Sequence, residues 1–285
     1  MTTPRVLLAS TDSHPRAGDD APALLAALRN TGAQASVASW DSPSAEWRGA
    51  RVHLLSPWDY QHRLPAFLRW LDVIDAEAQP LHPAALVRWN IHKGYLLEFA
   101  ERGVPVLPMR VIARDQAIDL EACASDLDAG ELVVKAAIGA GADGLFRWRP
   151  GDAVPSESVA ALRARGDIVV QTYSPRVESE GELGVVWIDG EVLHTVVKLP
   201  KAGDFRVQPS FGGSNVVRPA TEEEVVIANR IIERSPHRPR YARVDLLRSA
   251  EGEWCLGELE VIEPELFLRD APRTAEALAR AILRP

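Results

Sequence analysis

The chain has 285 residues, 46% hydrophobic and 25% charged, enough apolar material for a large core or two to three modest lobes. Its formal net charge of −8 argues against a nucleic-acid partner, which needs clustered Lys and Arg, but leaves room for a nucleotide in a local basic pocket. No apolar run approaches the ~20 residues that span a bilayer, the start at Met1 lacks a signal-peptide pattern, and Cys123 and Cys255 stand far apart like reduced, buried thiols; the expectation is a cytoplasmic protein with no membrane partner.

In chain order, Arg5–Ser10 reads as a strand, Ala21–Arg29 as a helix, Ala35–Trp40 and Val52–Leu55 as strands, and Phe67–Ile74 as a helix. Alternating strand and helix imply a parallel sheet, with ligands met beyond the carboxyl ends of its strands. Trp58-Asp59-Tyr60 follows the third strand and is therefore a candidate substrate contact, although a core Trp and an N-capping Asp explain it nearly as well. Asn90 is expected to cap a helix over Lys93–Arg102, and Val104–Pro108 to run extended. Asp115–Leu127 reads as a helix, Glu131–Ile138 and Leu145–Arg149 as a hairpin, and Val154–Arg165 as a helix. Ile168–Tyr173 is a short strand; Glu182–Ile188 and Val192–Leu199 form a hairpin about Asp189-Gly190; Phe205–Gln208 is a further strand. Thr221–Arg234 is a helix with a Thr221/Glu224 capping box, followed by strands Ala242–Leu247 and Glu253–Ile262 and a last helix over Thr274–Leu283.

Three groups of residues carry candidate chemistry. Lys135 lies in a strand that leads into Gly139-Ala140-Gly141-Ala142-Asp143-Gly144, where an ammonium and freely approached backbone N–H groups suit phosphate, although a plain turn fits as well. Asp245, Glu258, Glu260 and Glu263 are acids of the last two strands; Glu258 and Glu260, two apart, project from one face. Such carboxylates repel unless cations lie between them, and hard oxygen ligands suit Mg²⁺; the strand is too apolar for an ordinary exposed edge. Lys198, Lys201 and Arg206 surround a glycine turn where cations could hold a transferred phosphoryl group, or simply end a charged hairpin. The seven histidines, His14, His53, His62, His82, His92, His194 and His237, form no zinc-binding pair, and no nucleophile triad is readable.

In this order the elements resemble the ATP-grasp superfamily, over about residues 88–268. The resemblance implies an ATP-grasp fold of α/β and α+β type: an N-terminal parallel-sheet domain on the substrate side (residues 1–105), a small lid lobe (106–166), and a C-terminal lobe with the metal site (167–285), the last two clasping ATP. It implies ATP and Mg²⁺ as cofactors. Lys93 and Lys135 match the two lysines that meet ATP, and Gly139, Gly141 and Gly144 the phosphate loop. Gln171 matches the adenine contact, Tyr173 and Ser174 the backbone hinge, and Glu182 the ribose-binding acid. Lys198 resembles the γ-phosphate lysine, and Asp204-Phe205-Arg206 a loop that meets the phosphorylated substrate. Arg243 and Asp245 match an Arg-x-Asp in which arginine steadies the reacting carboxylate and aspartate binds metal. Glu258 and Glu260 match the metal pair, with Glu260 in place of the usual Asn, so that Glu263 could share the task.

Glu258-Leu259-Glu260-Val261-Ile262-Glu263-Pro264, with Asp204-Phe205-Arg206 and Trp58-Asp59-Tyr60, looks like a glutathione-synthetase-like subgroup that includes a ring-closing ligase of antibiotic pathways acting on O-ureido-D-serine. The implied activity is an ADP-forming C–N ligase that activates a small amino-acid-like carboxylate as an acyl phosphate for attack by an amine. Two alternatives stay open: an intermolecular amino-acid ligase, and a nucleotide-binding regulator without catalysis. Many members are homodimers, but no interface stripe stands out here.

Overall fold

The computed structural model describes residues 3–12 and 18–284; His14 lies outside them. The N-terminal part runs β1 (Arg5–Ser10), α1 (Ala21–Asn30), β2 (Gln34–Ser39), β3 (Arg51–Ser56), α2 (Leu64–Glu77) and β4 (Gln79–Pro80), forming a parallel sheet in the order β2-β1-β3-β4. Two short helices follow, α3 (Ala84–Asn90) and α4 (Tyr95–Glu101). Asn90 ends α3 rather than capping the next helix: its amide donates to the Leu259 carbonyl at 2.7 Å, a long-range use that local spacing does not reveal.

The small lobe contains β5 (Met109–Ile112), α5 (Leu120–Asp126), β6 (Leu132–Ala136), β7 (Phe146–Trp148), α6 (Ser156–Arg165) and β8 (Ile168–Thr172). Its antiparallel sheet has the order β5-β8-β6-β7, so Ile168–Thr172 pairs with the small lobe although the sequence division begins the third segment at residue 167. Leu120, Leu132, Val134, Trp148, Leu162 and Val170 form a core of its own.

The third part holds α7 (Arg176–Glu180), β9 (Glu182–Ile188), β10 (Glu191–Leu199), β11 (Ser214–Arg218), α8 (Glu222–Arg234), β12 (Tyr241–Arg248), β13 (Trp254–Glu260) and α9 (Pro272–Leu283). Its sheet is antiparallel, in the order β11-β10-β9-β12-β13. The β9–β10 turn places Asp189 at φ 49° and Gly190 at φ 103°, the left-handed pair that a tight two-residue hairpin needs. Thr221 and Glu224 complete the capping box of α8. The expected strand over Phe205–Gln208 does not form: Asp204 accepts from the Phe205 and Arg206 N–H groups at 2.7 and 3.0 Å, which bends the chain, and β11 is the strand that pairs instead.

The N-terminal and C-terminal parts share a continuous apolar core that includes Trp40, Phe67, Leu86, Phe99, Val185 and Leu259. His82 fastens them. Its Nδ1 faces the Val261 carbonyl at 2.8 Å, its Nε2 accepts from the Arg240 N–H at 2.9 Å, and its ring stacks on Tyr241 at 4.1 Å. Among the described residues, no helix is long and apolar enough to cross a membrane.

Candidate active site

One cleft of about 520 Å³ opens where the three parts meet, lined from the small lobe by Lys135, Gly139, Gly141 and Gln171 and from the C-terminal sheet by Glu182, Lys198, Arg243, Asp245, Glu258 and Glu260. The strand register explains the convergence. Asp245 of β12 pairs with Glu258 of β13, Arg243 with Glu260, and Lys198 of β10 with Glu182 of β9. Adjacent strands therefore present alternating charges on a single face.

These charges are paired with one another. Lys198 Nζ donates to Glu182 at 2.6 Å and to Asp245 at 2.8 Å. Arg243 grips both oxygens of Asp245 at 2.7 and 2.8 Å and also reaches Glu260. Lys93 Nζ stands 3.3 Å from Glu258 and donates to the Gly139 carbonyl at 2.8 Å, so it joins the turn before α4, the glycine loop and β13. Lys135 Nζ lies 3.7 Å from the same Glu258 oxygen.

Burial raises the cost of each charge, and the neighbours decide the outcome. Asp245 is pushed up by burial, but Arg243 and Lys198 outweigh that and hold it below the usual carboxylate range. Glu258 likewise ends lowered, because Lys93 and Lys135 overcome its burial. Glu260 is raised to about 7, by burial first and by Asp245 and Glu258 after it, against the pull of Arg243. Glu263 rises to about 8, through burial and the charge of Glu260. Burial lowers Lys135.

Several expected contacts need correction. Asp59 does not line the cleft; it accepts from the Trp40 indole at 2.8 Å and from Arg63 at 3.3 Å, which holds the turn that carries Trp58 and Tyr60. Trp58 and Tyr60 do line it. Gly144 is also off the cleft: an added Cβ there would meet Leu162 at 3.2 Å, so at φ +74° this glycine serves packing of the lobe. Arg206 reaches the cleft, but its guanidinium pairs with Asp204 at 2.7 Å and covers the Phe211 ring at 3.7 Å. The Tyr173 N–H is taken by the Glu131 carbonyl at 2.9 Å, and the Ser174 hydroxyl donates to Arg248 O, leaving the hinge carbonyls for other partners.

Two lining residues escaped the sequence reading in this role, Asn90 and Tyr95. Both brace β13, Asn90 at the Leu259 carbonyl and Tyr95 by accepting the Leu259 N–H at 2.9 Å. Their one sequence signal is proximity to Lys93.

The acids fit Mg²⁺ in kind, though they do not form a cage. Among the described residues, no three His, Cys, Asp or Glu side chains converge as ready ligands. Mg²⁺ seldom uses an all-protein cage and completes its shell with water and phosphate, so carboxylates in adjacent register that line a cleft are a suitable donor set.

The chain belongs to the ATP-grasp family and is an ATP-dependent, ADP-forming C–N ligase: residues 96–238 match the ATP-grasp domain of prokaryotic glutathione synthetase. Within that class, residues 6–82 match the N-terminal domain of D-cycloserine synthetase DcsG. The chain is 32% identical over an alignment of 284 residues to the cycloserine biosynthesis protein DcsG of Streptomyces lavendulae, covering 92% of this chain and 94% of that protein. The crystal structure of D-cycloserine synthetase DcsG superposes with a TM-score of 0.85 at 29% identity, over 98% of this chain and 99% of that one. The ATP-grasp ligase PsnB, solved with a precursor variant, Mg and ADP, shares the fold at a TM-score of 0.67 and 15% identity, over 99% and 98% of the two chains. Membership in a ligase family sets aside the alternative of a regulator without catalysis.

Proposed function

We propose that this chain uses ATP to activate the carboxylate of a small amino-acid-like substrate and closes it on a nitrogen of the same molecule, as the name D-cycloserine synthetase of its relative suggests. The observation that carries the reading is the convergence of Lys93, Lys135, Lys198 and Arg243 with Asp245 and Glu258 in one cleft roofed by the glycine loop. Lys93, Lys135 and the N–H groups near Gly139 and Gly141 would receive the phosphates of ATP, with Gln171, Tyr173, Ser174 and Glu182 about its base and ribose. Asp245, Glu258 and Glu260 would hold Mg²⁺, which when bound supplies charge neutralisation at phosphate oxygens.

In the first step a carboxylate oxygen of the substrate attacks the γ-phosphorus, and the bond to the β-phosphate oxygen breaks, releasing ADP. Lys198 and Arg206 offset the charge that develops on the transferred group. In the second step a nitrogen of the substrate attacks the acyl carbon, the acyl C–O bond to phosphate breaks, and inorganic phosphate leaves with the proton that the nitrogen gives up. Arg243 stands beside the reacting carboxyl and steadies its oxygen. Because nitrogen and carboxyl belong to one molecule, closure needs no second encounter. The small lobe, over the cleft, excludes water that would hydrolyse the acyl phosphate.

The test is ADP and phosphate release with Mg²⁺ and ATP against a panel of amino-acid carboxylates that includes O-ureido-D-serine, each with and without an added amine. Turnover with O-ureido-D-serine alone, and a cyclic dehydrated product by mass spectrometry, is the expected result. Turnover only when an amine is added would establish the intermolecular ligase instead, and no ADP with any compound would overturn the proposal.

A further inference from the structure

We infer that Glu263, which lines the cleft together with Trp58 and Tyr60, receives the α-ammonium group of the substrate and so selects an amino acid over a plain carboxylic acid. The inference rests on the carboxylate-activating reading above and assigns the one substrate group that this reading leaves unheld.

Among the described residues, the cations of the cleft are committed elsewhere: Lys93 and Lys135 to Glu258, Lys198 to Glu182 and Asp245, Arg243 to Asp245 and Glu260, and Arg206 to Asp204. Glu263 makes no ion pair within 4.0 Å among these residues, although it lines the same cleft. It follows the end of β13 and faces the N-terminal domain, where Tyr60 lies beside its carboxylate and its main-chain carbonyl accepts from the Trp58 indole at 3.2 Å. Glu260 and Glu258 stand near and add negative potential, which Lys93, beyond ion-pair distance, offsets only in part. Glu265, two residues on, also lines the cleft without an ion pair, but its charged neighbours are Asp20, Asp19, Arg243 and Arg269 rather than the acids of β13.

A half-buried carboxylate that has no ion-pair partner and lies among other acids favours a proton or a cation brought by a ligand. A primary ammonium is compact and carries three donors, one for the carboxylate and others for water or a backbone carbonyl. Trp58 and Tyr60 line the same cleft, and aromatic rings attract cations through their quadrupole. A substrate whose carboxyl lies at Arg243 and whose ammonium lies at Glu263 is held at both ends of an amino-acid unit.

The test compares O-ureido-D-serine with 3-(ureidooxy)propanoate, which lacks only the amine, on wild type and on Glu263→Gln, Glu263→Asp and Tyr60→Phe. Wild type should discriminate against the des-amino compound by about 30- to 1,000-fold in kcat/KM, the range for removing one half of a desolvated charge pair. Glu263→Gln should lose most of that discrimination, by a rise in KM for the amino acid with little change in kcat. Glu263→Asp should restore part of it, Tyr60→Phe should weaken it, and ATP affinity and the Mg²⁺ concentration for half-activation should stay unchanged. Equal losses on both compounds in Glu263→Gln, with wild type active, would overturn this inference alone. A shifted Mg²⁺ requirement with intact discrimination would make Glu263 a metal-site residue and overturn it too. An inert wild type would overturn the parent reading and this inference together.

Discussion

Replacing His82 with leucine, a side chain of similar bulk that cannot titrate, tests how the N-terminal and C-terminal parts are fastened. The imidazole satisfies three backbone groups: Nδ1–H donates to Val261 O, and Nε2 accepts from the N–H groups of Arg240 at 2.9 Å and Tyr241 at 3.3 Å. Leaving buried backbone groups unmatched costs about 1–3 kcal/mol each, partly relieved by relaxation, so the variant should lose about 3–4 kcal/mol at pH 7. The pH dependence is sharper. Burial depresses His82 from 6.5 to about 3, since a second ring proton would point at N–H donors. A folded value below the unfolded one gives stability that is fully present above pH 6.5 and lost as pH falls toward 3. At pH 5, one and a half pH units below the unfolded value, the unfolded wild type has gained about 2 kcal/mol from protonation, at ~1.4 kcal/mol per pH unit, and the variant has not. The gap between the two proteins should therefore shrink from about 3–4 to about 1–2 kcal/mol, as measured by urea unfolding followed through tryptophan fluorescence, other ionising groups cancelling in the difference. An unchanged gap at the two pH values would refute the reasoning.

Lys135→Ala should weaken Mg²⁺-ATP binding by about 30-fold, the loss of one charge-assisted contact in a screened-off site, as measured by calorimetric titration; unchanged affinity would remove the lysine from the nucleotide site. Asp59→Ala should lower stability by about 1–2 kcal/mol in thermal unfolding while KM moves less than about two-fold, because its partners are Trp40 and Arg63. Glu258→Gln and Glu263→Gln should act in opposite senses on the melting temperature of the nucleotide-free protein. The first leaves Lys93 and Lys135 without their shared carboxylate and should lower it, whereas the second removes an acid that has like-charged neighbours and should raise it. Shifts of the same sign would refute this account of the cleft.

Where local rules decide, sequence and structure agree. Glu182–Ile188 is a strand with the predicted ends because its β-branched and apolar run is bounded by Gly181 and the Asp189-Gly190 turn. The α8 capping box is equally local. The two-residue spacing of Glu258 and Glu260 placed both acids on the face that lines the cleft. Disagreement arises where a side chain serves a distant partner. Asn90 looks like a cap but holds β13, Asp59 looks like a substrate contact but holds Trp40, and the Gly144 turn packs on Leu162. His82 had no signal at all, since its partners lie 158 to 179 positions away. Spacing along the chain also could not reveal that each acid of the proposed metal set is already held by a cation.

That last feature accounts for both the stability of the cleft and its proposed use. Four carboxylates, Glu182, Asp245, Glu258 and Glu260, share a small volume with four cations, Lys93, Lys135, Lys198 and Arg243, and the face stays folded because they neutralise one another. On the proposed reading, a phosphate chain would compete for the same lysines. Each lysine drawn toward phosphate leaves a carboxylate in need of a positive partner, and a divalent cation accompanying the nucleotide is the partner such oxygens prefer. A pre-formed cage of acids would instead repel itself in the nucleotide-free protein. Glu263, outside the paired set, is then a remaining demand for positive charge in the cleft, beside Trp58 and Tyr60 of the N-terminal domain.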